Sequence, residues 1–304
     1  MPSLKDLRNR ISSVKSTKKI TSAMKMVAAA KLRKAQENAF VARPYSDNMS
    51  KIVYSLTNNP NMVFQKPSLI SGNEKNETIL LLVCSADRGL CGGFNGSIIR
   101  HTKKKIHKLR DNGKNVKLVF LGKKAYQALK RSFENITLKI FSDFANPGID
   151  FSVASEIRNY LIENFFSHEF DSCELIFTKF KSAISQEVTE KKLLPLLSSQ
   201  NDNKNKAETE HNVFYEFEPS EEQILDEIVP KNIAVQIFTA LLESAASEQG
   251  ARMTAMDNAT RNANDMIDNL TLFYNRSRQA VITKELIEII SINSFVITAC
   301  LDLL

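Results

Sequence analysis

The chain has 304 residues, of which 43% are hydrophobic and 25% charged, and it carries a net charge of +7. That is enough to bury a substantial core and suggests about two domains. Cys84, Cys91, Cys173 and Cys300, with His101, His107, His168 and His211, show no metal-ligand spacing and no C-x-x-C, and no run of about 18 uncharged apolar residues occurs. A metal site and a membrane span are therefore not expected, and the thiols fit a reducing, cytosol-like compartment.

The glycines refine the plan. Eight of the nine lie between Gly72 and Gly148, and only Gly250 follows. A glycine-using middle between two helical arms is expected. Charge is just as uneven: residues 1–38 hold ten Lys or Arg against Asp6 and Glu37, a net of +8 that exceeds the whole-chain value. Such an arm is either a solvated helical face or a surface for an acidic partner. Its basic, serine-bearing start could imitate a transit peptide, but its apolar positions continue without a cleavage-like break.

In chain order, Ser3 can cap a helix containing Leu4, Leu7, Ile11 and Val14, in steps of 3, 4 and 3. Ile20, Met24 and Val27 prolong it into Ala28-Ala29-Ala30, where small side chains let a second helix approach. Pro44 can kink this helix, which should end before the turn cluster Asn58-Asn59-Pro60-Asn61. Residues 61–76 read as a polar connector.

Thr78-Ile-Leu-Leu-Leu-Val-Cys84 is a continuous apolar run of the kind that forms a strand buried on both faces. Val116–Leu121 and Glu174–Thr178 repeat it, with helical patterns over 95–111, 123–132 and 151–166. This alternation predicts an α/β layer with right-handed crossovers. Residues 183–194 and 213–217 can add edge strands, and Ser198–Asn212, polar and without proline, reads as a mobile loop. Glu221-Glu222 read as helix N-terminal charges.

Lys231 to Ile292 has no proline and one glycine. Met256, Ala259, Ala263, Met266, Leu270, Phe273, Ser277 and Ala280 form a 3-4 seam, the pattern of a coiled-coil helix. At about 1.5 Å per residue one continuous helix would span on the order of 90 Å, so much of it is expected to project from a compact domain and to need covering. The N-terminal helix is the simplest partner, since two such stripes bury each other as a left-handed pair.

The turn Ser85-Ala-Asp-Arg-Gly-Leu-Cys-Gly-Gly-Phe-Asn95 invites a nucleotide-binding reading, but it is neither G-x-G-x-x-G nor a Walker loop. A tight turn presenting Asp87 and Arg88 to a protein partner is the preferred reading. No Ser/His/Asp or Cys/His constellation stands out. Arg276, Arg278, Gln279, Thr283, Lys284 and Glu285 are either solvated surface or a ring of polar handles for a surrounding partner.

Lys18-Lys-Ile-Thr-Ser-Ala-Met-Lys-Met-Val-Ala-Ala-Ala30, Asp87-Arg-Gly-Leu-Cys-Gly-Gly93, Ser247-Glu-Gln-Gly-Ala-Arg-Met-Thr-Ala-Met-Asp-Asn258 and Arg278-Gln-Ala-Val-Ile-Thr-Lys-Glu-Leu-Ile-Glu-Ile289 resemble the F-type ATP synthase gamma subunit family, in order and over essentially the whole chain. The resemblance implies an antiparallel coiled coil of the N- and C-terminal helices with a central Rossmann-like α/β domain. It divides the chain into an N-terminal shaft helix (1–60), an α/β foot (61–218) and a C-terminal shaft helix (219–304). It implies a central rotor in a proton-translocating ATP synthase, coupling c-ring rotation to the catalytic cycle of the beta subunits. The chain itself would be no enzyme and need no cofactor.

The implied partners are alpha and beta subunits, which form a hexameric sleeve, the epsilon subunit and the membrane c-ring. By matching position, Arg278 and Gln279 resemble residues that hydrogen-bond a beta-subunit catch loop, and Thr283 and Glu285 lie in the same coupling region. Met24 and Lys25 resemble the shaft position facing another beta loop, with Arg252 opposite in the paired helix. Asp87 and Arg88 would sit where the α/β domain meets the lower sleeve. The loop 198–212 corresponds to a region that often meets epsilon and the ring. The family motifs begin almost at Met1, which favours the cytoplasmic face of a bacterial inner membrane over the matrix face of the mitochondrial inner membrane. Ser291–Leu304 is longer and bulkier than the family's short Gly/Ala-rich tip; if helical, it adds about two or three turns.

Two other classes compete. A basic coiled-coil nucleic-acid binder would use the N-terminal arm, but residues 1–38 contain no Phe, Tyr or Trp before the arm's end to interleave with bases. A nucleotide-dependent enzyme would use the α/β domain.

Overall fold

The computed structural model describes residues 3–57, 68–72, 77–144, 148–196 and 221–301. The turn cluster 58–61, the loop 198–212 and the proposed strand 213–217 lie outside the described residues. Element order is α1 (Leu4–Thr57), α2 (Ser68–Ser71), β1 (Thr78–Cys84), α3 (Phe94–Asp111), β2 (Asn115–Leu121), α4 (Lys123–Phe133), a short 3-10 turn, β3 (Thr137–Phe141), α5 (Phe151–Phe166), β4 (Ser172–Phe180), β5 (Gln186–Leu194) and α6 (Glu221–Leu301).

The described strands form one sheet in the order β3-β2-β1-β4-β5. The first four are parallel and β5 runs antiparallel at the edge. The apolar run of β1 serves both faces. Leu80, Leu82 and Cys84 enter one core with α5 and the first part of α6, while Ile79, Leu81 and Val83 enter the other with α3 and α4. Alternate side chains of one strand thus fill two layers, which is why the run is unbroken.

Gly122, between β2 and α4, is held at φ 101°, and a Cβ there would lie 2.1 Å from the Ser85 carbonyl oxygen. The close approach arises because the Ser85 N–H donates to the Leu121 carbonyl at 2.7 Å and the Gly122 N–H to that of Phe141 at 2.7 Å. Only glycine tolerates that conformation so near another backbone.

Two expectations are corrected. The connector is not wholly polar, since α2 buries Leu69 and Ile70 in the core. Strand β3 was not foreseen: it is an edge strand whose Leu138 and Ile140 remain partly exposed, so its apolar signal is short. The C-terminal helix begins at Glu221, at the Glu221-Glu222 charges expected of a helix N-terminus, and continues through Pro230. Proline forfeits the bond to the carbonyl of residue 226 and costs about 3 kcal/mol in a helix interior. Burial of Leu225, Val229, Ile233, Ile237 and Leu241 on both sides of it offsets that loss, each contributing about 1.5–3 kcal/mol.

The chain divides into two compact units, one of residues 1–27 with 255–304 and the other of residues 28–254. In the first, α1 begins with Ser3 as cap: its Oγ accepts the Asp6 N–H at 3.1 Å, and Asp6 Oδ2 accepts the Ser3 N–H at 3.3 Å. The two helices of this unit pair antiparallel, with Arg8 on Tyr274, Thr21 on Thr260 and Lys25 on Asp257.

Candidate functional site

Within the paired-helix unit, the seam of α6 is offset from the expected one. Met256, Ala259, Ala263, Leu270 and Ser277 are buried or half-buried as expected, but Thr260 is half-buried beside Ala259, and Ile267 and Tyr274 take the places expected for Met266 and Phe273. Met266 and Phe273 are 47% and 44% exposed. The seam still steps by 4 and 3, but two of its positions, Thr260 and Tyr274, are polar side chains that find polar partners on α1. Thr260 Oγ1 donates to Thr21 Oγ1 at 2.8 Å, and Arg8 Nη2 donates to the Tyr274 hydroxyl at 3.0 Å. On α1 the same shift replaces Ile20 and Val27, both more than half exposed, by the buried Thr21 and Ala28.

Lys25 Nζ meets Asp257 Oδ1 at 2.6 Å, and Arg261 Nη2 meets Asp257 Oδ2 at 2.7 Å. Those bonds, led by Lys25, hold the Asp257 carboxyl below the ordinary range. Met24 is half-buried beside Lys25.

The register shows where the pairing ends. Arg8 to Lys25 is matched by Tyr274 to Asp257, 17 residues on each helix, so Leu4, the first residue of α1, falls opposite Arg278. From Gln279 onward α6 has no described α1 residue beside it. Every residue from Arg278 to Ile290 is exposed, including Val281, Ile282, Leu286, Ile287, Ile289 and Ile290. Arg278, Gln279, Thr283 and Glu285 lie together in this bare stretch, at the point where the helix loses its partner. The helix continues through Leu301.

The second cluster lies in the α/β unit, at the carboxyl ends of β1 and β2. Asp87 caps α4, with Oδ1 accepting the Lys123 N–H at 3.1 Å and Oδ2 the Asp143 N–H at 3.0 Å. Its carboxylate thus fills the helix N-terminus where an anion would otherwise bind. Arg88, beside it, is exposed. Arg252 closes the turn from the α6 side: Nη2 donates to the Gly89 carbonyl at 3.2 Å and pairs with Glu248 at 2.7 Å.

Sequence reasoning missed the polar residues of α6 that lock it to the sheet. Glu243, 5% exposed, accepts from Arg43 Nε at 2.6 Å and from the Phe180 N–H at 2.9 Å. Ser244 Oγ accepts the Thr178 N–H at 3.2 Å, and Ser247 Oγ donates to the Thr178 carbonyl at 3.1 Å. Gly250 packs against Phe180 and Ala183. The available signal was polar residues inside a run otherwise apolar enough to be buried, where each must find a partner.

These contacts also locate α6 relative to the strand ends. In open α/β sheets the ligand crevice lies outside the carboxyl ends of strands where the order reverses, here between β1 and β4. In this unit α6 occupies that place, with Glu248 and Arg252 against the glycine-rich turn. The chain is of a mechanical class: an antiparallel helix pair with a bare apolar end, and an α/β unit whose crevice is filled by its own helix.

A family model described as ATP synthase matches residues 3–293. The ATP synthase gamma chain of Rhodospirillum rubrum is 50% identical over 296 residues, covering 96% of this chain and 98% of that one. That of Paramagnetospirillum magneticum is 52% identical over 291 residues, with the same coverage. Among solved structures, the central stalk and c-ring of Tetrahymena thermophila mitochondrial ATP synthase has a chain 26% identical to this one, with a TM-score of 0.59, covering 79% of this chain and 99% of that one. A chain of the Euglena gracilis mitochondrial ATP synthase shares the fold with a TM-score of 0.66 at 18% identity, covering 95% and 92%. The chain belongs to the ATP synthase gamma subunit family. The nucleic-acid reading of the basic arm finds no support among these relatives.

Proposed function

We propose that the chain is the central rotor shaft of an F-type ATP synthase, coupling rotation of a membrane ring to conformational cycling of catalytic sites on surrounding beta subunits. The observation that carries this is the bare end of α6. Six large aliphatic side chains stand in water on a helix that has outrun its partner, and burying each would gain about 1.5–3 kcal/mol. A sleeve of alpha and beta subunits supplies that burial while leaving the helix free to turn. Arg278, Gln279, Thr283 and Glu285 are then the polar handles on the greasy rod, and Lys25 with Met24 forms a second contact lower on the pair.

In this reading the chain is non-catalytic, and residues 1–60 and 219–304 form the shaft on a foot of residues 61–218. Arg88 is the exposed member of the turn that meets the lower sleeve; Asp87 and Arg252 hold that turn in shape. Epsilon and the c-ring are further partners, and the bacterial relatives support a peripheral position on the cytoplasmic face of the inner membrane.

The test is reconstitution with alpha and beta subunits and observation of a bead fixed to the α/β unit. One chain should assemble with three alpha and three beta subunits, and the bead should rotate when ATP is hydrolysed. An assembly that hydrolyses ATP with a stationary bead would exclude the rotor.

A further inference from the structure

The strongest concentration of charge in the chain is not the N-terminal arm. Residues 94–134 contain twelve Lys or Arg against only Asp111 and Glu134, a net of +10 in 41 residues. The fold places this excess on one layer, because α3 and α4 pack side by side over the same face of the sheet. The buried stripe of α3 is Phe94, Ile98, Thr102, Ile106 and Leu109. At 100° per residue, Arg100, Lys103, Lys104 and Lys108 point away from it, and all four are exposed.

Several neighbouring cations are already neutralised. Lys105 reaches Glu174 and Glu190, Lys117 pairs with Glu169, Lys123 with Asp143 and Lys130 with Glu134. Arg100, Lys103, Lys104, Lys108 and, on α4, Arg131 have no ion pair among the described residues. They leave an outward field that no described residue of the domain answers with an ion pair.

We infer that the outer face of α3 and α4 is an electrostatic docking surface for the anionic headgroups of a lipid bilayer. Three observations favour lipid over other polyanions. The stripe is rich in Lys, which is depleted at the cores of protein interfaces. It has no free aromatic face for stacking bases, since Phe133 is buried and Tyr126 leans on Phe120. No large apolar side chain is exposed on α3, so the face adsorbs at headgroup level rather than inserting. Fluid headgroups accept a diffuse cationic surface without a matching shape, and each Lys or Arg near such a surface strengthens binding about fivefold. The inference rests on the assignment of the chain to a membrane-associated assembly, although the charge pattern itself does not.

The test uses the full-length chain sedimented with vesicles of phosphatidylglycerol in phosphatidylcholine. Replacing Arg100, Lys103, Lys104 and Lys108 by Gln should weaken binding at least about thirtyfold. Replacing Arg10, Lys15, Lys18 and Lys19 by Gln, the same charge loss in the N-terminal arm, should change it less than about threefold. Lys124→Gln with Arg131→Gln is a second variant, on the other helix, and should lose an intermediate amount. Circular dichroism melts check that each variant folds.

The inference is overturned if the wild-type chain ignores phosphatidylglycerol, if the arm variant loses binding while the α3 variant keeps it, or if polyglutamate or DNA competes as well as the vesicles do. Assembly of the α3 variant with alpha and beta subunits is measured alongside. Retained assembly with lost vesicle binding supports the inference, whereas a wild-type chain that binds vesicles but fails to assemble would count against the rotor and not against this face.

Discussion

Glu248 sits under the glycine-rich turn with its carboxylate largely out of water. Burial pushes its carboxyl above the ordinary range, and the guanidinium of Arg252 pulls it only part of the way back. A carboxyl raised on folding contributes stability that is complete below its unfolded value, about 4.3 for a glutamate, and that is lost as pH rises through the folded value. Glu248→Gln removes that loss. The melting temperature of the variant relative to the wild type should therefore climb as pH is raised from about 4 to about 8, as followed by calorimetry. A difference that stays flat across this range would mean that the carboxyl titrates normally. Residues of this kind divide by legibility. Asp87 was visible as part of a turn motif, but its work, capping α4 and tying down Asp143, was not, because both partners are backbone N–H groups more than thirty residues away. Glu243 was invisible for the same reason.

At the scale of the element, the helix pair was legible in period and illegible in phase. The apolar residues alone favour Met266 and Phe273, whereas the packed seam takes Ile267 and Tyr274 and accepts Thr260 because Thr21 faces it. Two polar groups that satisfy each other can occupy a seam that neither could occupy alone. A double-mutant cycle tests this. Thr260→Val alone should cost about 1 kcal/mol, whereas Thr21→Val with Thr260→Val should cost less than the sum of the single changes, with a coupling of about 0.5–1.5 kcal/mol in urea unfolding. Strict additivity would show that the hydroxyls do not meet in solution. Strands β1, β2 and β4 were readable because both faces are buried; β3 was not, since an edge strand buries half as much and leaves a weaker pattern.

For the whole molecule, the aliphatic residues of α6 between Val281 and Ile290 are exposed among the described residues, so their consequences belong to assembly rather than to the fold. Arg278→Ala with Gln279→Ala should leave thermal unfolding of the isolated chain within about 0.5 kcal/mol, as surface changes do. It should lower coupled ATP synthesis by the reconstituted enzyme between about fivefold and a hundredfold, if each side chain contributes a hydrogen bond worth about 0.5–1.5 kcal/mol. Unaltered synthesis would remove both residues from the grip.

By itself the sequence determined the order of elements, the alternation that makes a parallel sheet, the heptad spacing of the two terminal helices and the family to which they belong. Each of these depends on residues near one another in the chain, where periodicity and turn chemistry act. Only the tertiary structure decided which of two adjacent residues enters the seam, and that α6 fills the crevice at the ends of β1 and β4. Those outcomes depend on partners brought together from distant parts of the chain, such as Glu243 with Phe180 and Thr21 with Thr260. The energy of a buried polar group is set by what it meets, and no local pattern records that.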